Sequence, residues 1–291
     1  MTTIDEVVVD GPESQLAAAI SGPADGTPVL FLHGTSANRH GWDAVVDAMA
    51  EPARAVRLDQ RGHGLSGDGD AYDADAFARD AAAVIRALDL GPTLVVGHSM
   101  GARNAWVLAA REPEVVSGVV AVDYTPFVEA EVLDALDARV RGGDRAFDDL
   151  SAVHAYLADR YRRLPADAIE RRARFGYAPA DDGLRPLARP AALAALVEGL
   201  RTDFPDEFAA VAAEGPAMVA VRGEHSAIVS PAAWARAQAL APTAGFVELA
   251  DADHYVHEEQ PQAVASIIDD LIRTVRRTPV SVHNAKEQPW D

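Results

Sequence analysis

The chain has 291 residues, 49% of them hydrophobic, no cysteine, and a formal net charge of −19 at pH 7 from 26 Lys+Arg against 45 Asp+Glu. That length and apolar content suffice for one sizeable α/β domain with an insertion, and the lack of thiols excludes a cysteine nucleophile, disulfides and thiolate metal sites. The acidic balance excludes a general nucleic-acid surface, which needs a basic face against the phosphates, and with no basic-then-apolar leader and no run of eighteen apolar residues the expectation is a soluble cytoplasmic protein without a membrane partner.

Residues 4–9 and 15–20 flank a Gly11-Pro12 turn and read as an N-terminal hairpin. Short apolar runs at 29–32, 55–58, 94–96 and 119–122 then alternate with helical periods at 74–88 and 102–110, the pattern of a parallel sheet buried on both faces. The acidic cluster Asp68, Asp70, Asp73, Asp75 lacks calcium-loop spacing and reads as a solvated loop and helix start. From 128 to about 215 the chain is helical, charged and without strand-like runs. A strand at 217–221, a helix at 232–240, a strand at 245–249 and a last helix at 261–276 resume the alternation. The expected fold is therefore α/β, a mostly parallel, doubly wound sheet built from residues 1–126 and 216–277, with a helical cap inserted at 127–215 and a polar tail at 278–291.

Reactive groups of such sheets collect beyond the carboxyl ends of the strands. Gly97-His98-Ser99-Met100-Gly101 follows one strand and opens a helix, so Ser99 occupies a sharp turn that lifts its hydroxyl towards a substrate. His33-Gly34-Thr35 follows the strand at 29–32, Asp59-Gln60-Arg61-Gly62-His63-Gly64-Leu65-Ser66 follows that at 55–58, and Asp123 follows that at 119–122. A serine hydroxyl needs a base, and the base needs an acid that fixes its tautomer. Of the nine histidines, His254 is the candidate base, after the strand at 245–249, with His257 as competitor. His33, His63 and His98 are assigned to packing and loop hydrogen bonds. The backbone N–H groups of Met100 and Thr35 are the candidate oxyanion donors.

Together these motifs resemble the α/β-hydrolase family, from residue 29 to about 272, and Glu259 and Pro261 match the family's pattern after its catalytic histidine. In many members the triad acid lies three residues after the glycine that ends the penultimate strand. Here Gly223-Glu224-His225-Ser226 puts Ser226 there, and a serine cannot carry the charge that steadies an imidazolium. Asp123, 24 residues beyond Ser99, is preferred, with Glu224 as the competing acid and turn capping as the alternative reading.

Twelve of the 25 arginines lie between Arg139 and Arg201, interleaved with acids. Most suit solvated helices, but one or two turned inward would select an anionic substrate. Segments such as 133–140, 156–161 and 183–188 resemble the amidohydrolase branch of vitamin B6 breakdown, whose substrate is a small dicarboxylated enamide. That resemblance implies carboxylate-holding roles for Arg139, Arg160 and Tyr161, an acyl-serine intermediate, and no metal or organic cofactor. An esterase, lactonase or enol-lactone hydrolase for another carboxylated substrate remains open, as do a non-catalytic ligand-binding protein of this fold and a homodimer.

Overall fold

The computed structural model describes residues 4–277. The expected tail at 278–291 lies outside the described residues. In chain order the elements are β1 (Ile4–Asp10), β2 (Gln15–Ser21), β3 (Thr27–Leu32), α1 (Asp43–Ala48), β4 (Ala53–Leu58), α2 (Ala74–Ala87), β5 (Thr93–His98), α3 (Met100–Arg111) and β6 (Val116–Val122). The inserted segment holds α4 (Ala130–Arg141), α5 (Leu150–Arg160), α6 (Ala166–Phe175), β7 (Tyr177–Ala180), β8 (Gly183–Pro186), α7 (Pro190–Gly199) and α8 (Pro205–Glu214). The chain then returns through β9 (Ala217–Gly223), α9 (Pro231–Leu240), β10 (Gly245–Leu249), α10 (Val256–Glu259) and α11 (Pro261–Arg277).

Eight strands form one sheet in the order β1-β2-β4-β3-β5-β6-β9-β10. β1 and β2 pair antiparallel, β2 meets β4 antiparallel, and every later pairing is parallel. Side chains alternate across the strands. Leu30, Leu32, Val95, Val119 and Ala121 face α2 and α3, around Phe77 and Trp106. Val29, Phe31, Val96, Val120 and Val122 face the opposite layer, around Trp42, Val264 and Ile268. Both sets are fully buried, which is why the central strands read as unbroken apolar runs. Truncating Trp106, which meets Phe208 edge-on at 5.1 Å, would cost about 3–5 kcal/mol.

The cap has a small core of its own around Phe147, Val153, Leu157, Ile169 and Ala173. Two findings differ from the sequence reading. First, β7 and β8 form a two-stranded antiparallel hairpin where no strand was expected. Pro179 and Pro186 mask the strand pattern; a turn at Gly183 (φ +125°) and paired hydrogen bonds between Phe147 and Leu184 (2.9 and 2.7 Å) make it. Second, α8, at the end of the segment expected to form the cap, packs on α3 of the core through Phe208. The cap is tied down at separate points. Asn38 Nδ2 donates to the Phe175 carbonyl at 2.9 Å, the His40 ring stacks on Phe175 at 3.9 Å, and buried Arg103 reaches the Gly199 carbonyl at 2.7 Å. No helix among the described residues is long and apolar enough to cross a membrane.

Candidate active site

Ser99 joins β5 to α3 with φ 53° and ψ −120°, a left-handed conformation that an L-residue adopts at a cost. Surrounding contacts enforce it. The Ser99 amide donates to the Val122 carbonyl at 2.8 Å, and a Cβ on Gly101 would stand 2.2 Å from the Leu32 carbonyl oxygen, so the turn can close only with glycine there. The Met100 amide opens α3 and belongs to the N–H groups a helix leaves without an intrahelical acceptor. The loop carrying Thr35 passes directly against the nucleophile turn: a Cβ on Gly34 would lie 3.1 Å from Ser99 Cβ.

That loop is braced from beneath. The Gln60 amide donates to His33 Nε2 at 3.0 Å, so His33 carries its proton on Nδ1 and donates to the Gly34 carbonyl at 2.8 Å. Gln60 Nε2 donates to the His33 carbonyl at 2.6 Å, and Asn104 Nδ2 donates to Gln60 Oε1 at 2.8 Å, linking α3 to the loop. Burial holds the His33 imidazole neutral, its pKa lowered to about 4, and burial together with the neighbouring His33 lowers His63 to about 3.

Asp123, also left-handed at φ 52°, is fully buried at the end of β6. Its Oδ1 accepts from the Gly223 amide at 2.9 Å; its Oδ2 accepts from Ser226 Oγ at 2.6 Å and from His254 Nδ1 at 2.7 Å. Because a carboxylate only accepts, His254 carries a proton on Nδ1 and leaves Nε2 as the basic nitrogen. Glu224 is exposed and accepts from the Asp251 amide at 3.0 Å. The structure thus brings Asp123, and not Glu224, to His254. Ser226, at the position that is acidic in many relatives, donates to the acid instead, while its oxygen accepts the amides of Ile228 and Val229 at 3.2 and 3.0 Å. His257, the competing base, lies between Trp42 and His98, with ring centroids 4.5 and 4.2 Å away. Burial and the Arg172 cation push its pKa well below the ordinary value, as burial and its histidine neighbours do for His98. His98 Nε2 donates to the His254 carbonyl at 2.9 Å and so holds the base's backbone.

A cleft over this floor is lined by His254, Tyr255, Arg139, Arg160 and Tyr161, among others. The Tyr161 ring is faced by the guanidinium carbons of Arg172 at 4.4 Å, Arg139 at 4.9 Å and Arg160 at 5.7 Å. Tyr255 meets Tyr161 edge-on at 5.1 Å and also lies under Arg172, at 4.5 Å. Burial alone would raise the Tyr161 phenol, but the three cations outweigh it and lower its pKa to about 8. Arg172 is held by the buried Glu258 carboxylate, Nε to Oε2 at 3.0 Å. Sequence reasoning missed Arg172 and Tyr255. Arg172 is one of three arginines within four positions of α6, and nothing in that spacing says which turns inward; Tyr255, beside the base, was the more visible of the two. Among the described residues, Glu224, His225 and Asp251 bring potential metal ligands within 4.8 Å of one another, all exposed.

Comparison with known proteins matches residues 27–261 to the alpha/beta hydrolase fold family. The chain is 44% identical over 253 residues to the 2-(acetamidomethylene)succinate hydrolase of Mesorhizobium japonicum, covering 87% of this chain and 88% of that one. A crystal structure of E-2-(acetamidomethylene)succinate hydrolase superposes with a TM-score of 0.89 at 41% identity, covering 93% of this chain and 100% of the other. The N-formylmaleamic acid deformylase of Pseudomonas putida S16 shares the fold, with a TM-score of 0.71 at 20% identity over 91% of this chain and 100% of that one.

Proposed function

The chain belongs to the α/β-hydrolase family, and from that premise we propose that this enzyme hydrolyses the amide of (E)-2-(acetamidomethylene)succinate in the cytoplasm. The observation that carries the reading is one juxtaposition: His254, held by the buried Asp123, lines the same cleft as Arg139, Arg160 and Tyr161. A dianion entering a protein of net charge −19 needs local cations to offset long-range repulsion, and Arg139 and Arg160 supply them beside the base.

In this reading the guanidinium groups hold the carboxylates and place the acetyl carbonyl over Ser99. His254 Nε2 takes the Ser99 proton as Oγ attacks, and the amides of Met100 and Thr35 receive the oxyanion. The tetrahedral intermediate collapses to acetyl-Ser99 as His254 protonates the departing enamine nitrogen. A first water, deprotonated by His254, then releases acetate. A second hydrolyses the enamine, and the resulting β-formyl acid loses carbon dioxide, giving ammonia and succinic semialdehyde.

The roof recognises carboxylates and nothing in the floor separates amide from ester, so a carboxylated ester or lactone would meet the same machinery. One assay divides the readings. Purified enzyme is given the enamide, small carboxylated esters and enol-lactones, and acetate and ammonia are measured. Equimolar acetate and ammonia from the enamide, with a kcat/KM well above that for the esters, supports the proposal; faster ester or lactone turnover overturns it.

A further inference from the structure

A second cavity adjoins the first at Arg160 and Tyr161. These two residues line both cavities, whereas His254 lines only the first. The second is bounded by α5 and α6 of the cap and by Ser36, Ala37 and Asn38, the residues that follow Thr35. Arg171 lines it, with its side chain 18% exposed. Its Nη1 donates to Asp167 Oδ2 at 2.6 Å, but Nε and Nη2 are buried with no hydrogen-bond partner among the described residues. Buried donors are normally satisfied, so two on one permanently charged group call for a ligand.

The two free donors have a defined geometry. Nε and Nη2 share the side edge of a guanidinium, the edge that matches the two oxygens of a carboxylate. Neighbouring Arg172 is already occupied by Glu258, while the carboxylate on Arg171 approaches only the opposite end, at Nη1. Arg171 is also fixed in place. Phe175, one turn along the same face of α6, is stacked on His40 and bonded through its carbonyl to Asn38, which anchors this stretch of helix beside the Thr35 loop.

We propose that Arg171 holds the second carboxylate of a diacid whose first carboxylate sits among Arg139, Arg160 and Tyr161. The inference rests on the anionic-substrate reading above and deepens it: selection for a dianion comes from two cationic centres in adjoining cavities that share Arg160 and Tyr161, since a monoanion satisfies either centre alone.

The test is calorimetric binding of succinate and butyrate, a dianion and a monoanion, to the full chain. Arg171→Gln should weaken succinate at least tenfold and butyrate less than about twofold. Arg171→Lys, which keeps the charge and loses the fork, should weaken succinate by at least threefold, and it serves if the glutamine variant does not fold. Asp167→Asn should leave both affinities within about twofold. Equal effects of Arg171→Gln on both anions, no effect on either, loss of succinate binding in Asp167→Asn, or a wild type that binds succinate no better than butyrate would each overturn the subsite. Failure of the substrate reading is separable. A wild type that ignores the enamide yet loses its succinate preference in Arg171→Gln keeps the subsite and discards the reaction.

Discussion

On the floor of the cleft the reacting groups are fixed by their neighbours: Asp123 takes three hydrogen bonds, the Thr35 loop is locked through His33, Gln60 and Asn104, and Ser99 is held in a strained turn. In the roof, cations stand over tyrosine rings, and Arg171 keeps two donors free. The floor is organised for a charge that develops only during reaction. The roof stores positive charge for an anion that arrives already charged. Damage to the floor should therefore fall on kcat for every substrate, whereas damage to the roof should fall on KM and only for anions.

The largest effect expected is on the floor. Ser99→Ala should lower kcat by about six orders of magnitude while binding of the diacid persists; measurable kcat near that of the wild type would remove Ser99 from the chemistry. Asp123→Asn leaves the shape intact but allows the wrong His254 tautomer, and kcat should fall about 10⁴-fold. Glu224→Gln, remote from His254, should stay within about twofold, and comparable losses in the two variants would undo the assignment of the acid.

Acid should also attack the floor first. His33, His63, His98 and His257 are held neutral by burial, with pKa values lowered to about 4 and about 3 for the first two and well below the ordinary value for the others. In the unfolded chain each binds a proton below about pH 6.5, so the unfolded state holds more protons than the folded state between that pH and the lowered values. Unfolding free energy therefore falls as pH drops below about 6.5, by up to about 1.4 kcal/mol per pH unit for each histidine that stays neutral in the folded protein. Urea midpoints at pH 7 and pH 5 measure this, and an unchanged midpoint would show that these rings titrate freely. In the roof, Arg139→Ala and Arg160→Ala should each raise KM for the diacid about 10- to 100-fold, with little change for neutral esters; an equal effect on neutral esters would erase the division between floor and roof.

The two regions also differ in how readable they are. The floor lies at strand ends, where a glycine turn, a short apolar run and a following helix leave a local pattern, so Ser99, Thr35, Met100 and His254 stand out in the sequence. Asp123 emerges by contrast, because Ser226 occupies the position where an acid is usual; that the same serine would donate to Asp123 is a contact across 103 positions that no local pattern records. The roof hides in its own composition. Arg171, Arg172 and Arg174 look alike on α6, and only packing assigns Arg172 to Glu258, Arg171 to the second cavity and Arg174 to an exposed position. The β7–β8 hairpin is hidden as well, since two prolines interrupt its strands and the bridge beside it comes from Phe147, thirty residues before the first of them.

The most direct measurement is of the acyl-enzyme itself. Enzyme mixed with (E)-2-(acetamidomethylene)succinate, quenched in acid within the first turnover and digested, should yield the peptide containing Ser99 with one acetyl group added, and the Ser99→Ala protein should yield none. Acetate released at the full rate with no acetyl group on that peptide would contradict the account.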